Sequence, residues 1–389
     1  MVFAPERCKW RNIGETFRPG FSACRPSWPA YGEQTLGYPS EPPTHKSKTI
    51  LTGSPLQSSV DADPRATQAY AWACGVLDLA QASFAPASAD ASFRRYFRVR
   101  AGAQSWIVMD APPQQEDCRP FVRIAGLLHE AGVHVPAIVA QDFDNGFLLL
   151  SDLGTQTLLD VIDEGNADAL FGDAIDALIV WQRASRTQVL PPYDETLLLR
   201  ELNLFPDWYL GRHLEVALDA AEREALDGVF RQLVDAALAQ PSVYVHRDYM
   251  PRNLMFSRPN PGVLDFQDAV YGPLAYDPIS LFKDAFLSWP ASRVEWGLRT
   301  YHTRAEVAGL PVPPWPQFRR DCDWIGLQRH LKILGIFARL TLRDGKPRYL
   351  ADTPRFVRYV MDVLPYHAEL KPLAELFERH VLPRVDAGA

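Results

Sequence analysis

The stretch HRDYMPRN at 246–253, with GVLDFQD at 262–268 behind it, decides how the rest of this chain is read. It sets three oxygen-bearing side chains, Asp248, Asn253 and Asp265, close together in the chain. A hydroxyl that attacks a phosphoryl group needs a carboxylate to orient it and take its proton, a task that suits Asp248. A triphosphate needs Mg²⁺, and an amide oxygen from Asn253 with a second carboxylate from Asp265 can hold that ion against the β- and γ-phosphates. Asn253 follows Asp248 by five positions, one tight loop, so both side chains can face the same small volume. The apolar pair Val263-Leu264 reads as a short buried strand that delivers Asp265 to the edge of a cleft.

Working outward, the chain divides into a front rich in strands and a back rich in helices. An Ala-rich helix is expected over 66–81, then paired strands in FRRYFRVR (93–100) and SWIVMD (105–110), where apolar and polar residues alternate. A helix near 118–131 carries Phe121, Ile124, Leu127 and Leu128 on one stripe, and strands follow near 136–141 and 146–150. Beyond Gly154 the pattern is helical over 155–163, 167–186, 194–214 and 219–239; the motif region interrupts it, and helices resume from 276. This is an α+β chain with two lobes. The expected units are a disordered extension at 1–65, rich in Pro, Gly, Ser and Thr, a nucleotide-binding small lobe at 66–153, and a helical lobe at 154–389 that carries the catalytic loop.

The 389 residues suffice for two lobes, and 47% hydrophobic content suffices for a sizeable core. A net charge of −7 argues against a dedicated nucleic-acid binder. No apolar run approaches the about 20 residues that span a bilayer, and the N-terminus lacks the apolar core of a signal peptide. The cysteines at 8, 24, 74, 118 and 322 are odd in number and without CxxC spacing, so neither a disulfide framework nor a zinc site is suggested. A monomer in a reducing cytoplasm is expected.

An isolated HRD triplet is weak evidence, because short motifs recur by chance. Here the Asn and the strand-borne Asp-Phe at the right distances outweigh the bland alternative, a solvated loop with incidental carboxylates. His246 and Arg247 read as braces of the loop. Asp268 is a weaker candidate to support the metal, and Asp277 suits either an N-cap of the next helix or a bond to the catalytic loop. No lysine occurs between Lys48 and Lys283, so the strand lysine that usually clamps nucleotide phosphates is absent; Met109 stands where it is expected. Arginine must supply the charge. Arg94 and Arg95, just past the turn SADAS (88–92), are the candidates, and the alternation mildly favours Arg95, on the face of Phe97 and Val99; each also fits a solvated strand position. In that turn, with no glycine-rich loop, small residues such as Ser92 would cover the phosphates. Ser151, Asp152 and Leu153 in LLLSDLG (148–154) read as a hinge along the adenine edge, or as an ordinary strand end.

These residues carry a resemblance. From about 66 onward the chain resembles the aminoglycoside phosphotransferase/choline kinase-like family, whose HxDxxxxN and IDF-type segments match 246–253 and 263–268. Within it, longer strings are similar to the bacterial anomeric kinases of N-acetylmuramate and N-acetylglucosamine: SADASFRRYFRV (88–99), MDAPPQQEDCRPFVRIAGLL (109–128), ELNLFPDWYL (201–210) and KILGIFARL (332–340). The resemblance implies a bilobal protein-kinase-like fold using ATP and Mg²⁺, with Asp248 as base, Asn253 and Asp265 on the metal, and a role in peptidoglycan recycling. It also implies a sugar site in the helical lobe. Glu201, Asp207 and Trp208 are candidates for hydroxyl bonds and stacking, and Arg252 or Arg339 for the lactyl carboxylate; taken singly, each reads slightly better as a structural residue, Trp208 as core and Arg339 as an ion-pair member. Two alternatives stay open: another small alcohol as acceptor (aminoglycoside, choline or homoserine), and a catalytically silent nucleotide-binding scaffold. The mixed charges of the C-terminal segment, from Arg343 to Arg355, count against a polycationic acceptor.

Overall fold

A computed structural model describes residues 63–88 and 93–386; the expected extension at 1–65 falls almost wholly outside the described residues, as does Ser92. Helix α1 (Pro64–Leu77) begins where Asp63 accepts the Arg65 and Ala66 N–H groups and Pro64 supplies a pre-set first turn. Five antiparallel strands follow: β1 (Ser83–Ser88), β2 (Arg95–Ala101), β3 (Gln104–Asp110), β4 (Ile138–Asp142) and β5 (Phe147–Ser151), in the order β1-β2-β3-β5-β4. Helix α2 (Arg119–Ala131) lies between β3 and β4 and buries Phe121, Ile124 and Leu128. Strand β1 was not anticipated, because SFAPAS is short, contains Pro86 and shows no clear alternation.

Both faces of this sheet are covered, and that decides where its side chains go. Phe97, Val99, Val108, Phe147 and Leu149 pack under the small side chains Ala66, Ala69 and Ala73 of α1. The opposite face turns Tyr96, Ile107 and Leu150 towards the helical lobe. The alternation read from the sequence was correct, but the apolar face looks away from the cleft. Arg95 goes with it: Nε donates to Asp110 Oδ2 at 3.0 Å and the guanidinium also pairs with Asp63. Arg65 Nε donates to the other oxygen of the fully buried Asp110 at 2.6 Å, so two arginines clamp α1 to the sheet through one carboxylate. The preference for Arg95 as a phosphate ligand is therefore overturned.

The helical part comprises α3 (Leu158–Val161), α4 (Ala167–Arg183), α5 (Glu195–Leu202), a π-helix (Phe205–His213), α6 (Ala220–Leu238), α7 (Tyr276–Phe282), α8 (Ala291–Val307), α9 (Trp315–Leu342), α10 (Thr353–Met361) and shorter helical segments to the end of the described residues. Among the described residues no helix is long and apolar enough to cross a membrane. The helix expected over 194–214 is broken in two, and the second part winds as a π-helix against α9. Gly335 of α9 allows that approach, since a Cβ there would sit 2.3 Å from the Leu204 backbone. Between α6 and α7 run two antiparallel ribbons, β6 (Ser242–Val245) with β9 (Val270–Pro273) and β7 (Leu254–Met255) with β8 (Gly262–Val263). They bracket the segments that hold Asp248, Asn253 and Asp265.

Candidate active site

Strand β6 ends at Val245, and the chain then makes a turn that only a strong framework can hold. Arg247 has a φ of 76°, in the left-handed region that disfavours a residue with a Cβ. The framework is Asp277 on α7. Its Oδ2 accepts the His246 N–H at 2.7 Å and its Oδ1 accepts the Arg247 N–H at 3.0 Å. Burial pushes this carboxyl up to about 7 against the pull of the two amide donors. Of the two roles open to Asp277 in the sequence, the bond to the loop is observed, and it caps nothing: α7 has no side-chain cap. His246 braces the same loop from inside. Its Nε2 bonds to the Leu264 carbonyl at 2.9 Å, and its Nδ1 receives the Asp248 N–H at 3.3 Å. Burial lowers the imidazole to about 4, so it stays neutral.

The loop closes as Asn253 turns back on it. Asn253 Nδ2 donates to the Asp248 carbonyl at 2.9 Å and lies 3.5 Å from Asp265 Oδ2, while the Leu264 N–H donates to the Asn253 carbonyl at 2.9 Å. Asp265 has a φ of 60°, a second left-handed residue within the site. Phe266 just after it is fully buried against Phe121 of α2, ring centroids 4.7 Å apart, which anchors the turn that swings Asp265 outward. Gln267 Nε2 donates to Asp265 Oδ1 at 2.9 Å, and Arg94 Nη2 comes within 3.9 Å of the same oxygen. Arg94, not Arg95, thus reaches the site from the small lobe.

Asp248, Asn253 and Asp265 border one cavity of about 530 Å³, with Asp268 beside them. One end of it is walled by Tyr96, Ile107, Leu150 and Leu264 and edged by Ser151, Asp152 and Leu153, the residues expected to meet a nucleotide. Asp152 is committed: Arg98 Nε donates to it at 2.6 Å and Arg98 Nη2 donates to the Gly154 carbonyl at 2.6 Å, an ion pair that ties β2 to the hinge. Arg98 escaped the sequence reading, because nothing in the alternation separates it from Arg94.

The other end of the cavity is built by α9, through Arg329, Lys332, Ile333, Ile336, Phe337 and Leu340, together with Tyr276, Phe286 and Tyr349. Glu201 lies beneath it. This carboxylate pairs with Arg247, sits 3.0 Å from Lys332 Nζ and accepts from Gln328 Nε2 at 3.2 Å and from the Tyr193 hydroxyl. Burial alone would raise it, but Lys332 and Arg247 hold it down at about 2. Burial would likewise discharge Lys332, and Glu201 keeps it charged. Glu201 is therefore a support of the cavity and does not border it. Arg252 does border it, stacked 4.5 Å over the Phe286 ring. Asp207, Trp208 and Arg339 do not. Asp207 is exposed on the π-helix, Trp208 lies under Arg212 at 4.1 Å, and Arg339 sits near Arg343 towards the end of α9. The π-helix faces its apolar side to α9 and the core, where Phe205 stacks on Phe377, which is why ELNLFPDWYL reads as a binding segment and acts as packing.

The sequence profile of the Phosphotransferase enzyme family matches residues 83–311, a span that holds the small-lobe sheet, the hinge and every residue of the loop just described. The chain belongs to this family. A Pseudomonas aeruginosa phosphotransferase named N-acetylmuramate/N-acetylglucosamine kinase is 60% identical over 296 residues, covering 76% of this chain and 88% of the relative. One of the same name from Pseudomonas putida is 57% identical over 308 residues, covering 79% and 89%. Among solved structures, a choline kinase from Streptococcus pneumoniae superposes with a TM-score of 0.54 at 13% identity, covering 76% of this phosphotransferase and 99% of that chain, a likeness of fold. The bilobal, protein-kinase-like α+β architecture expected from the sequence is thereby established.

Proposed function

We propose that this phosphotransferase moves the γ-phosphoryl group of ATP to the anomeric hydroxyl of N-acetylmuramate or N-acetylglucosamine, giving the sugar 1-phosphate. The observation that carries the reading is the identity of 57–60% to two relatives named for these sugars, in a chain that retains Asp248, Asn253 and Asp265 around one cavity. Asp248 orients the O1 hydroxyl and accepts its proton as O1 bonds to Pγ and the bond from Pγ to the bridging oxygen breaks, releasing ADP. The donor set of Asp265, Asp268 and the Asn253 side-chain amide oxygen is hard oxygen, which fits Mg²⁺. Among the described residues no three acidic, His or Cys side chains form a metal cage alone, which suits an ion whose shell is completed by phosphate oxygens and water. When bound, Mg²⁺ would neutralise charge on the transferring phosphoryl group. Arg94 supports the phosphates from the small lobe in place of the absent lysine.

A polycationic acceptor such as an aminoglycoside would meet Arg252, Arg329 and Lys332 in the acceptor end, so the alternative acceptors lose support. The test is ADP release with Mg·ATP across a panel of amino sugars, aminoglycosides and choline, with the phosphorylation position read by ³¹P and ¹³C NMR. Sugar 1-phosphate from either amino sugar is expected. A folded protein that releases ADP with none of them would sink the reading and leave the silent scaffold.

A further inference from the structure

The acceptor end of the cavity carries more positive charge than the protein around it uses. Four cations border it: Arg247, Arg252, Arg329 and Lys332. Arg247 and Lys332 share the Glu201 carboxylate and are accounted for. The other two are not. Arg252 is half-buried, has its guanidinium carbon 4.5 Å from the Phe286 ring centroid, and makes neither hydrogen bond nor ion pair among the described residues. Its place in the chain is telling, between the base Asp248 and the metal ligand Asn253, on the loop whose backbone is fixed at both ends. Arg329 is only 1% exposed, and of its three nitrogens only Nη1 is bonded, to the Lys283 carbonyl at 3.2 Å, while Nε and Nη2 have no partner. Asp284 and Asp277 attract Arg329 through space, but neither accepts a hydrogen bond from it: Asp284 accepts the Ala285, Phe286 and Leu287 N–H groups and Asp277 those of His246 and Arg247. Both arginines thus flank the segment 283–286, one stacked on Phe286 and one bonded behind Lys283, in the wall of the same cavity.

A buried guanidinium with unpaired donors is costly unless something anionic and planar completes it. A guanidinium steadied by an aromatic ring, with its fork of N–H donors unused, matches the two oxygens of a carboxylate. Building on the sugar-kinase reading above, we infer that Arg252, with Arg329 behind it, forms a subsite for a carboxylate on the acceptor and so makes the enzyme select an acidic amino sugar over its neutral counterpart. N-acetylmuramate bears such a group, the lactyl carboxylate on O3; N-acetylglucosamine has a free hydroxyl there. Arg252 is a specificity residue in this account, since it holds a part of the sugar remote from the O1 that reacts. The neutral sugar leaves the Arg252 fork and the Arg329 Nε and Nη2 donors without a hydrogen-bond partner, and discrimination follows from that penalty as much as from the bond gained.

The experiment compares kcat/KM for the two sugars in the full-length wild type and in R252Q, R252K and R329K, with the KM for ATP measured in each. R252Q is expected to lower the ratio of N-acetylmuramate to N-acetylglucosamine efficiency by about ten- to a hundredfold, chiefly through KM. R252K, which keeps the charge and loses the fork, should retain part of the preference, and R329K should shift the ratio the same way as R252Q. Because the readout is a ratio within one protein, a general loss of folded enzyme cancels. Equal losses on both sugars, with a raised KM for ATP, would assign Arg252 to the nucleotide phosphates and overturn the inference; an unchanged ratio would also overturn it. Wild type that phosphorylates neither sugar would instead fell the sugar-kinase reading itself, a result distinct from either.

Discussion

At the scale of single residues, the site works by assigning carboxylates to different tasks. Asp277 holds backbone, Glu201 holds two cations, Asp265 is swung out by a left-handed turn, and Asp248 is left bordering the cavity. Replacing Asp248 by Asn keeps size and most hydrogen bonds, because the loop contacts its main chain, through the Asp248 N–H and carbonyl. The expected outcome for Asp248→Asn is a loss of turnover of about a thousandfold or more with ATP affinity nearly unchanged, as checked by steady-state kinetics and by nucleotide titration; wild-type turnover would remove Asp248 from the base role. His246 gives a pH signature. Its folded value of about 4 lies below the 6.5 of an unfolded histidine, so as pH falls from 6.5 towards 4 the unfolded chain takes up a proton that the folded one refuses, and stability drops. A protonated ring would also set Nδ1–H against the Asp248 N–H. Asp277 titrates in the opposite sense, so the clean measurement is a difference. The stability advantage of wild type over His246→Gln in urea should shrink on acidification by an amount on the order of 3 kcal/mol, and an advantage that stays constant from pH 7 to 4 would contradict the neutral, buried histidine.

At the scale of elements, α9 is the organising feature. One face packs on the π-helix, and the residues from Arg329 to Leu340 build the acceptor wall. Its position depends on Gly335, where the Leu204 backbone leaves no room for a methyl group. Alanine is the better helix former by about 1 kcal/mol, yet Gly335→Ala must push α9 off the π-helix, because backbone cannot rotate out of the way as a side chain can. The expected result is a net destabilisation of about 2 kcal/mol in denaturant unfolding, with a raised KM for the sugar and a smaller change for ATP. A variant more stable than wild type would show that the two helices have slack. The same packing explains why Asp207 and Trp208 do not border the cavity. ELNLFPDWYL has the aromatic and acidic side chains that a pyranose pocket uses, but its Phe205 stacks inward and its Asp207 points to solvent; the real wall comes from the far side of the Gly335 contact.

At the scale of the molecule, what could be read from the sequence was what is local in it. Asp248, Asn253 and Asp265 fall within 18 residues and are joined by two short ribbons, so spacing alone implied their convergence. Ser151, Asp152 and Leu153 border the same cavity and are likewise contiguous in sequence. The acceptor pocket could not be read this way, because Tyr276, Phe286, Lys332 and Tyr349 meet only through the packing of α7, α9 and the segments beside them. The choice between Arg94 and Arg95 failed for a different reason: alternation reports two faces, and when both are covered it does not say which looks at the cleft. The lysine-poor sequence, meanwhile, has a chemical consequence once the cavity is seen. Among the residues bordering it, the one amine is Lys332, on α9 and paired with Glu201, while the opposite end, proposed for the nucleotide, carries Arg98 and no lysine. An acylating reagent that tags nucleotide-binding proteins through an amine beside the phosphates has no target there; any label it leaves in this cleft reports on whether the sugar's place is filled.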